Sequence, residues 1–197
     1  MMQENLLKNL TSSFRKIKNN IKQSKAEIFD VVAYGSLVKG KVKPNDIDIM
    51  AIFLNGGLKD RLEIIQKIKS LLEKSFDIPL DFKSMLITDF FKPEFLARQG
   101  IILEGISLID GKQAASKFGF KAFKLFTYDL ANLNNTKKTQ YVYAVNGRYS
   151  EGILKKLEGK NLGKGVIIVP IRNSLEFEEF LESWNVNFKA QDILVSI

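Results

Sequence analysis

Three aspartates and a glycine–serine pair are the residues of this chain whose types and spacing could carry chemistry. Asp46 and Asp48 are separated by one residue at the start of an apolar segment, and Asp81 lies between Leu80 and Phe82. Alternate residues of a strand point to the same face, so the first two carboxylates are expected on one face, roughly 6–7 Å apart along the chain. Carboxylates this close repel each other unless a cation lies between them, and paired metal ions about 4 Å apart serve nucleotidyl transfer. An aspartate between two apolar strand residues is otherwise a poor choice, because strand propensity and burial both oppose it.

The glycine–serine pair, Gly35-Ser36, directly follows a predicted strand. A turn from a strand into a helix exposes backbone N–H groups and a hydroxyl, which together favour phosphate binding. Glycine at this point lets the backbone approach a triphosphate closely. Lys39, Lys41 and Lys43 follow in the loop and could neutralise phosphate charge. An ordinary solvated lysine loop is the alternative.

Composition narrows the possible chemistry further. The 197 residues contain no cysteine and no histidine, which excludes disulfides, thiolate zinc sites, histidine metal sites and imidazole acid–base catalysis. Catalysis would therefore depend on carboxylates, Lys, Arg, Ser, Thr and Tyr. The metals to expect are those that accept oxygen ligands, Mg²⁺ or Mn²⁺.

Apolar periodicity predicts the elements that position these residues. A helix, two strands, a helix and a third strand are expected, in that order, at 6–21, 28–34, 47–53, 58–72 and 78–86. A short helix should follow from Pro93 to Gly100. This order favours an α+β (α/β) unit with a mixed sheet and flanking helices over residues 1–111.

The sequence pattern of residues 112–197 differs from that of residues 1–111 and predicts a smaller α+β domain. The aromatic-rich segment Lys121–Leu133 is expected to be helical. Tyr141–Val145 is expected to be a strand, closed by a hairpin-type turn at Asn146-Gly147. Later elements are a strand at 166–169, a helix at 175–184 capped by Asn173, and a strand at 193–195.

The positive charge is concentrated toward the two ends of the chain. Of the net charge of +8, residues 1–25 carry +5 and residues 111–197 another +5. An excess of positive charge attracts polyanions such as nucleic acid. Candidate phosphate contacts are Arg148, Lys155 and Lys156. A soluble lysine-rich surface explains the same charge. No apolar stretch approaches the roughly 20 residues of a membrane span, and the start has no signal-peptide character, so a cytoplasmic location is expected.

The spacing of the motif residues resembles a known family. Gly-Ser-x-x-x-Gly at residues 35–40, then Asp-x-Asp at 46–48 and a later strand aspartate, is similar to the nucleotidyltransferase superfamily that includes DNA polymerase beta. It looks most like the minimal nucleotidyltransferases of archaea and bacteria, and the resemblance covers about residues 28–110. Two departures are modest: Lys39 stands where arginine is common, and Asn45 where serine or glycine is common.

The resemblance implies a role for each motif residue. Gly35 and Ser36, with Lys39 beside them, would contact the phosphates of a nucleoside triphosphate. Asp46 and Asp48 would bind Mg²⁺ or Mn²⁺, and Asp81 would bind the catalytic metal and activate the acceptor hydroxyl. These three aspartates are therefore both the expected catalytic residues and the expected metal ligands.

The function that the resemblance implies is metal-dependent transfer of a nucleoside monophosphate to a hydroxyl, with release of pyrophosphate. The acceptor could be an RNA end, a protein or a small molecule. The alternative is a non-catalytic RNA- or protein-binding module, or an antitoxin-type partner protein, built on the same fold. In either case, residues 112–197 would bind a substrate or a partner. A packing extension that caps the catalytic sheet is the alternative for this part.

Overall fold

The computed structural model of the chain describes residues 2–21, 25–38 and 44–197, with the side chains of residues 2–5, 19 and 20 outside that description. The chain divides into two compact units, Met1–Gly119 and Phe120–Ile197. The boundary expected from the sequence, after Gly111, is eight residues before the boundary in the structure, which follows Gly119. The roles assigned to the two parts stay predictions.

The described residues form six α-helices and eight strands. The α-helices are α1 (Met2–Ile17), α2 (Leu58–Leu72), α3 (Arg98–Glu104), α4 (Asn135–Asn146), α5 (Ile153–Lys156) and α6 (Ser174–Ser183). The strands are β1 (Ile28–Tyr34), β2 (Ile47–Phe53), β3 (Leu80–Leu86), β4 (Ile106–Ser107), β5 (Phe120–Asp129), β6 (Lys160–Gly163), β7 (Val166–Pro170) and β8 (Asn187–Ser196). None of the helices in these ranges is long and apolar enough to cross a bilayer.

The first unit is built on a mixed four-stranded sheet in the order β3-β2-β1-β4. β1 runs antiparallel to β2 and β4, whereas β2 and β3 are parallel and α2 connects them. A parallel pair needs such a crossover, because a tight hairpin can join only antiparallel strands. The predicted α+β class, with a mixed sheet and flanking helices, is therefore confirmed.

Apolar residues cover both faces of this sheet. On one face, alternate residues of β2 such as Ile47, Ile49 and Phe53 pack with Leu10 of α1 and Ile68 of α2. The other face carries a second apolar cluster, which consists of Val32, Met50, Ile52, Met85, Phe90, Ile101 and Ala114. Asp48 lies two residues before Met50, so it shares this second face. The candidate acids thus lie at the border of a buried cluster.

The predicted helices and strands of the first unit are present, with one exception; the helix expected at 6–21 begins at Met2 and turns into a 3₁₀ helix after Ile17, and the strand expected at 78–86 begins at Leu80. The two strands at 28–34 and 47–53 and the helix at 58–72 have the expected bounds. The short helix predicted from Pro93 to Gly100 is wrong: Pro93 lies in a turn, and Gly100 lies inside α3. The apolar residue Ile101 continues that helix into the second cluster, which outweighs the low helix propensity of glycine.

A buried carboxylate, Asp30, lies in the middle of β1 and is only 1% exposed. Its Oδ1 accepts hydrogen bonds from the Ser107 hydroxyl at 2.6 Å and from the Val31 N–H at 2.8 Å. Its Oδ2 has no hydrogen-bond partner among the described residues. Burial raises the pKa of Asp30 above its usual value of 3.8, against the opposing effect of these hydrogen bonds. The ionised form of Asp30 therefore destabilises the fold.

Asp30→Asn is expected to make stability less dependent on pH. Because the folded pKa is raised, the parent keeps the contribution of Asp30 at low pH and loses it as pH rises through the folded pKa. The variant, which cannot ionise, should gain stability relative to the parent as pH rises from about 4 to 8. Denaturant unfolding at several pH values measures this gap. A gap that is the same at every pH would contradict the prediction.

The second unit is an antiparallel sheet in the order β6-β7-β5-β8, covered by α4 and α6. Its core contains Phe126 of β5, Tyr141 of α4 and Phe177 of α6, with Phe126 and Phe177 ring centroids 5.0 Å apart. The second unit is therefore also α+β. The strand at 166–169 and the helix at 175–184 match β7 and α6 closely.

Two predictions for this unit are wrong. Lys121–Leu133 is not a helix, since β5 pairs with β8 over its full ten residues. Tyr141–Val145 is not a strand, since it lies inside α4, where Tyr141 and Val145 share the buried face. The Asn134 side chain caps α4 by accepting a hydrogen bond from the Lys137 N–H. Asn146-Gly147 ends that helix and forms no hairpin turn.

The predicted cap of α6 is also different in the structure. The Asn173 side chain makes no capping bond and instead donates from Nδ2 to the carbonyl of Leu157 at 2.9 Å. It therefore ties the start of α6 to the residue that follows α5.

Candidate active site

A row of three polar side chains crosses the first sheet from β1 to β3. The pairing register places Tyr34 opposite Asp48, and Asp48 opposite Asp81. Register partners on adjacent strands point to the same face and lie roughly 5 Å apart. The sheet therefore brings Asp48 and Asp81 side by side, although they are far apart in sequence.

The turn after β1 brings the backbone against this row. Gly35 begins a short 3₁₀ helix, Gly35–Leu37, with φ +77°, a conformation that favours glycine. A Cβ atom at Gly35 would lie only 2.7 Å from Oδ2 of Asp48. The Val38 N–H closes the turn by donating to the Gly35 carbonyl at 3.1 Å. The absence of a side chain at residue 35 thus leaves room for the Asp48 carboxylate.

Ser36 and Asp46 lie at the two ends of the loop between β1 and β2. Ser36 is the second residue of the 3₁₀ turn and is partly buried. Asp46 is exposed and immediately precedes β2, whose first residue, Ile47, donates its N–H to the Pro79 carbonyl at 2.9 Å. Lys39, the third predicted phosphate contact, lies outside the described residues, as do Gly40, Lys41 and Lys43.

A lysine belongs to the site as well. Lys83 lies two residues after Asp81 on β3, hence on the same face, and its Nζ is 2.8 Å from Oδ2 of Asp81. The two side chains are 55% and 44% exposed, so solvent screens the pair and its contribution to stability is small. The hydrogen bond to Asp81 raises the pKa of Lys83, which is therefore a cation at neutral pH.

The electrostatics of the row show an excess of negative charge around Asp48. Burial raises the pKa of Asp48, and the charges of Asp46 and Asp81 raise it further, with Lys83 as the opposing influence. Burial likewise raises the pKa of Tyr34, which keeps its phenol neutral. A cation bound beside Asp48 would relieve this repulsion.

The donor set can be compared with the needs of a divalent ion. Over residues 2–21, 25–38 and 44–197, no three potential ligands among Asp, Glu, His and Cys already converge on one point. The donors are nevertheless carboxylate oxygens, which Mg²⁺ and Mn²⁺ prefer. The Lys83 ammonium, already against Asp81, shows that this position attracts positive charge. The residues present therefore fit such an ion chemically.

Sequence reasoning missed two members of the site, Tyr34 and Lys83. A signal for each was present: Tyr34 directly precedes the glycine–serine pair, and Lys83 follows Asp81 at the spacing of a shared strand face. What the sequence lacked was the register, because only the pairing of β1, β2 and β3 shows that these side chains meet the aspartates.

The three candidate phosphate contacts of the second unit, Lys155, Lys156 and Arg148, have different neighbours in the structure. Lys155 is 3.3 Å from a carboxylate oxygen of Glu151, and Lys156 pairs with Glu176. Arg148 lies over the rings of Tyr143 and Tyr149, 4.7 and 4.9 Å from their centroids. Both lysines are mostly exposed, so solvent screens their ion pairs and leaves them available to an anion.

Comparison with known proteins establishes the family. A family model described as polymerase beta, nucleotidyltransferase, matches residues 15–113, half of the chain, and this range contains all the motif residues. The chain therefore belongs to the polymerase beta-type nucleotidyltransferase family. The mixed sheet and the row of acids lie within the matched range.

Other comparisons add little to this assignment. No curated protein matches the chain significantly. Among solved structures, a crystal structure of a toxin-antitoxin with AMP-PNP is 21% identical, with 55% of this chain and 78% of that chain covered. Its TM-score is 0.36, too low to support an argument about either fold or function.

Proposed function

We propose that this protein is a divalent-metal-dependent nucleotidyltransferase that transfers a nucleoside monophosphate from a nucleoside triphosphate to an acceptor hydroxyl. The observation that carries the proposal is the pairing of Asp48 with Asp81 on parallel strands, with Gly35 against Asp48. The family assignment supplies the reaction class. The negative potential at Asp48 supports the need for a cation.

The chain's own residues would divide the work between binding and positioning. Asp46, Asp48 and Asp81 would hold Mg²⁺ or Mn²⁺ through their carboxylate oxygens. The bound ion would neutralise charge on the phosphates and make the acceptor hydroxyl easier to deprotonate. The Gly35–Leu37 turn would offer backbone N–H groups and the Ser36 hydroxyl to the phosphates.

The reaction itself is an in-line displacement. The acceptor oxygen forms a bond to the α-phosphorus as the bond from that phosphorus to the bridging oxygen breaks, and pyrophosphate leaves. The acceptor hydroxyl would give its proton to the carboxylate of Asp81, which lies beside β2 on strand β3. No covalent enzyme intermediate is needed, so positioning and charge neutralisation account for the catalysis. A cytoplasmic location, where nucleoside triphosphates are abundant, belongs to this proposal.

The experiment that tests the function uses label position to define the reaction. The full chain is incubated with Mg²⁺ or Mn²⁺, RNA or a cell extract as acceptor, and each nucleoside triphosphate, labelled with ³²P at the α position in one reaction and at the γ position in another. Nucleotidyl transfer labels the acceptor from the α position and releases γ-label as pyrophosphate. Label transferred from the γ position would instead indicate a kinase. A chain that binds no nucleoside triphosphate with either metal would overturn the proposal and favour a non-catalytic binding module.

Ser36→Ala is expected to weaken nucleotide binding more than it slows the chemical step. The hydroxyl would be one phosphate contact among several backbone N–H contacts, and a hydrogen bond to a charged group contributes about 1.5–3 kcal/mol. The Michaelis constant for the nucleotide should rise by roughly tenfold, with a smaller change in kcat. Steady-state kinetics with a saturating acceptor measures both. An unchanged Michaelis constant would exclude the Ser36 hydroxyl as a phosphate contact.

A further inference from the structure

The structure shows Lys83 in direct contact with Asp81, one of the proposed metal ligands. Its Nζ is 2.8 Å from Oδ2 of Asp81, and its side chain is 55% exposed. It lies two residues along β3 from Asp81, on the same face of the sheet and opposite Met50 on β2. The charge of Lys83 also acts on Asp48 and Tyr34, so it faces the whole row rather than Asp81 alone.

Two features make this contact easy to exchange. The lysine side chain is a flexible four-carbon stem with a compact ammonium that can donate in several directions. Its pairing with Asp81 is half exposed and screened, so little holds it in one place. Lys83 can therefore leave Asp81 without disturbing β3, whose pairing with β2 runs over the whole strand.

A divalent ion and an ammonium compete for the same carboxylate. Oδ2 of Asp81 is engaged by Lys83, and a metal ion that used this oxygen would repel the ammonium at short range. A nucleoside triphosphate arriving with the metal brings several negative charges to the same side of the sheet. The displaced ammonium would then find phosphate oxygens as its nearest anions.

We propose that Lys83 alternates between two partners: it holds Asp81 while the site is empty of metal, and it binds the triphosphate once the carboxylates hold the metal. Lys83 thus acts as a positioning residue for Asp81 and as a contact for the nucleotide. The inference rests on the proposed function, because it needs a metal and a nucleotide at this site. It adds a residue outside the glycine–serine and aspartate motifs.

The test uses two binding measurements that should change in opposite directions. Isothermal titration gives the affinity of the metal-free chain for Mn²⁺, and then the affinity of the Mn²⁺-loaded chain for a non-hydrolysable nucleoside triphosphate. Lys83→Met should bind Mn²⁺ about threefold or more tightly, because the competing cation is gone. The same variant should bind the nucleotide about tenfold more weakly, because a charge-assisted contact is lost.

Two further variants separate this role from a general effect of charge. Lys83→Arg keeps the positive charge and should keep the competition with Mn²⁺. Lys92→Met removes an equivalent lysine, since Lys92 pairs with Asp89 at 2.6 Å and is similarly exposed, outside the row of acids. It should leave both affinities unchanged. A purely structural role for Lys83 would lower both affinities together.

Each outcome bears on one idea or the other. If the parent binds Mn²⁺ and Lys83→Met binds it with the same affinity, the inference is overturned and the proposed function stands. Nucleotide binding that is as tight in Lys83→Met as in the parent would likewise overturn it. A parent that binds Mn²⁺ only together with the nucleotide would overturn the inference alone. A parent that binds neither Mn²⁺ nor the nucleotide in its presence would overturn the proposed function, and the inference with it.

Discussion

Asp48→Asn is expected to abolish nucleotidyl transfer while leaving the fold intact. Asp48 is the central member of the row and has Tyr34 on one side and Asp81 on the other. An amide keeps the shape of the carboxylate but removes the charge that a divalent ion needs. Metal-assisted charge stabilisation is worth several kcal/mol, so the rate should fall by at least about a hundredfold. The labelled-nucleotide assay measures this, and substantial residual transfer would contradict the mechanism.

The stability of the Asp48→Asn variant gives a second, independent measurement. Burial and the neighbouring acids raise the pKa of Asp48, so the contribution of Asp48 to stability is present at low pH and is lost as pH rises. Without metal, the variant should therefore be as stable as the parent or more so at neutral pH, and the gap should close toward about pH 4. The exposed Asp77, changed to asparagine, is a control that should not alter activity.

The elements of the first unit could be predicted from sequence because local signals agree with the tertiary structure there. The strands at 28–34 and 47–53 are apolar except for one aspartate in each, and most of their residues are buried, while α2 has clear helical periodicity. The register between strands could not be predicted in this way. Thus Asp48, Asp81 and Gly35 were identified by spacing and resemblance, whereas Tyr34 and Lys83 required the pairing itself.

The second unit shows how tertiary packing can override a local pattern. In β5 the spacing of three between Phe120, Phe123 and Phe126 suggests a helix, but Ala122 and Phe126, four residues apart on one strand face, are the fully buried residues. Lys124 between them pairs with Glu178 of α6, which is why a charged residue is tolerated on that face. The buried positions of β5 therefore follow the two-residue period of a strand and not the period of a helix.

In α4 the prediction is wrong in the opposite sense, because a strand is expected and a helix is found. Aromatic and β-branched residues at 141–145 favour a strand, but Tyr141 and Val145 are one helical turn apart and both are 1% exposed. The helix signals lay at its two ends, at Asn134 and Gly147. Gly147 has φ +85° and its N–H donates to the Tyr143 carbonyl. A glycine after an asparagine is also a hairpin signal, so only the cap at the other end could have decided between the two.

Gly35→Ala is expected to remove transfer by moving the Asp48 carboxylate. The new Cβ would lie 2.7 Å from Oδ2 of Asp48, closer than unbonded atoms tolerate, so the carboxylate or the turn must shift. The positive φ of Gly35 adds backbone strain of about 1–2 kcal/mol for any residue with a Cβ. Stability should fall by about this amount, and both Mn²⁺ affinity and transfer should fall more than stability alone explains.

Gly119→Ala separates the strain from the contact, because Gly119 has nearly the same φ, +79°, and a Cβ there would meet nothing within 4 Å. Both variants should therefore lose similar stability in denaturant unfolding, since both place a Cβ in the left-handed region. Only Gly35→Ala should lose Mn²⁺ affinity and transfer, because only its Cβ reaches a proposed ligand. If Gly119→Ala lost them equally, general destabilisation would be the cause. If Gly35→Ala kept them, the Asp48 carboxylate would not need the space that this glycine leaves, and the proposed geometry of the site would be wrong.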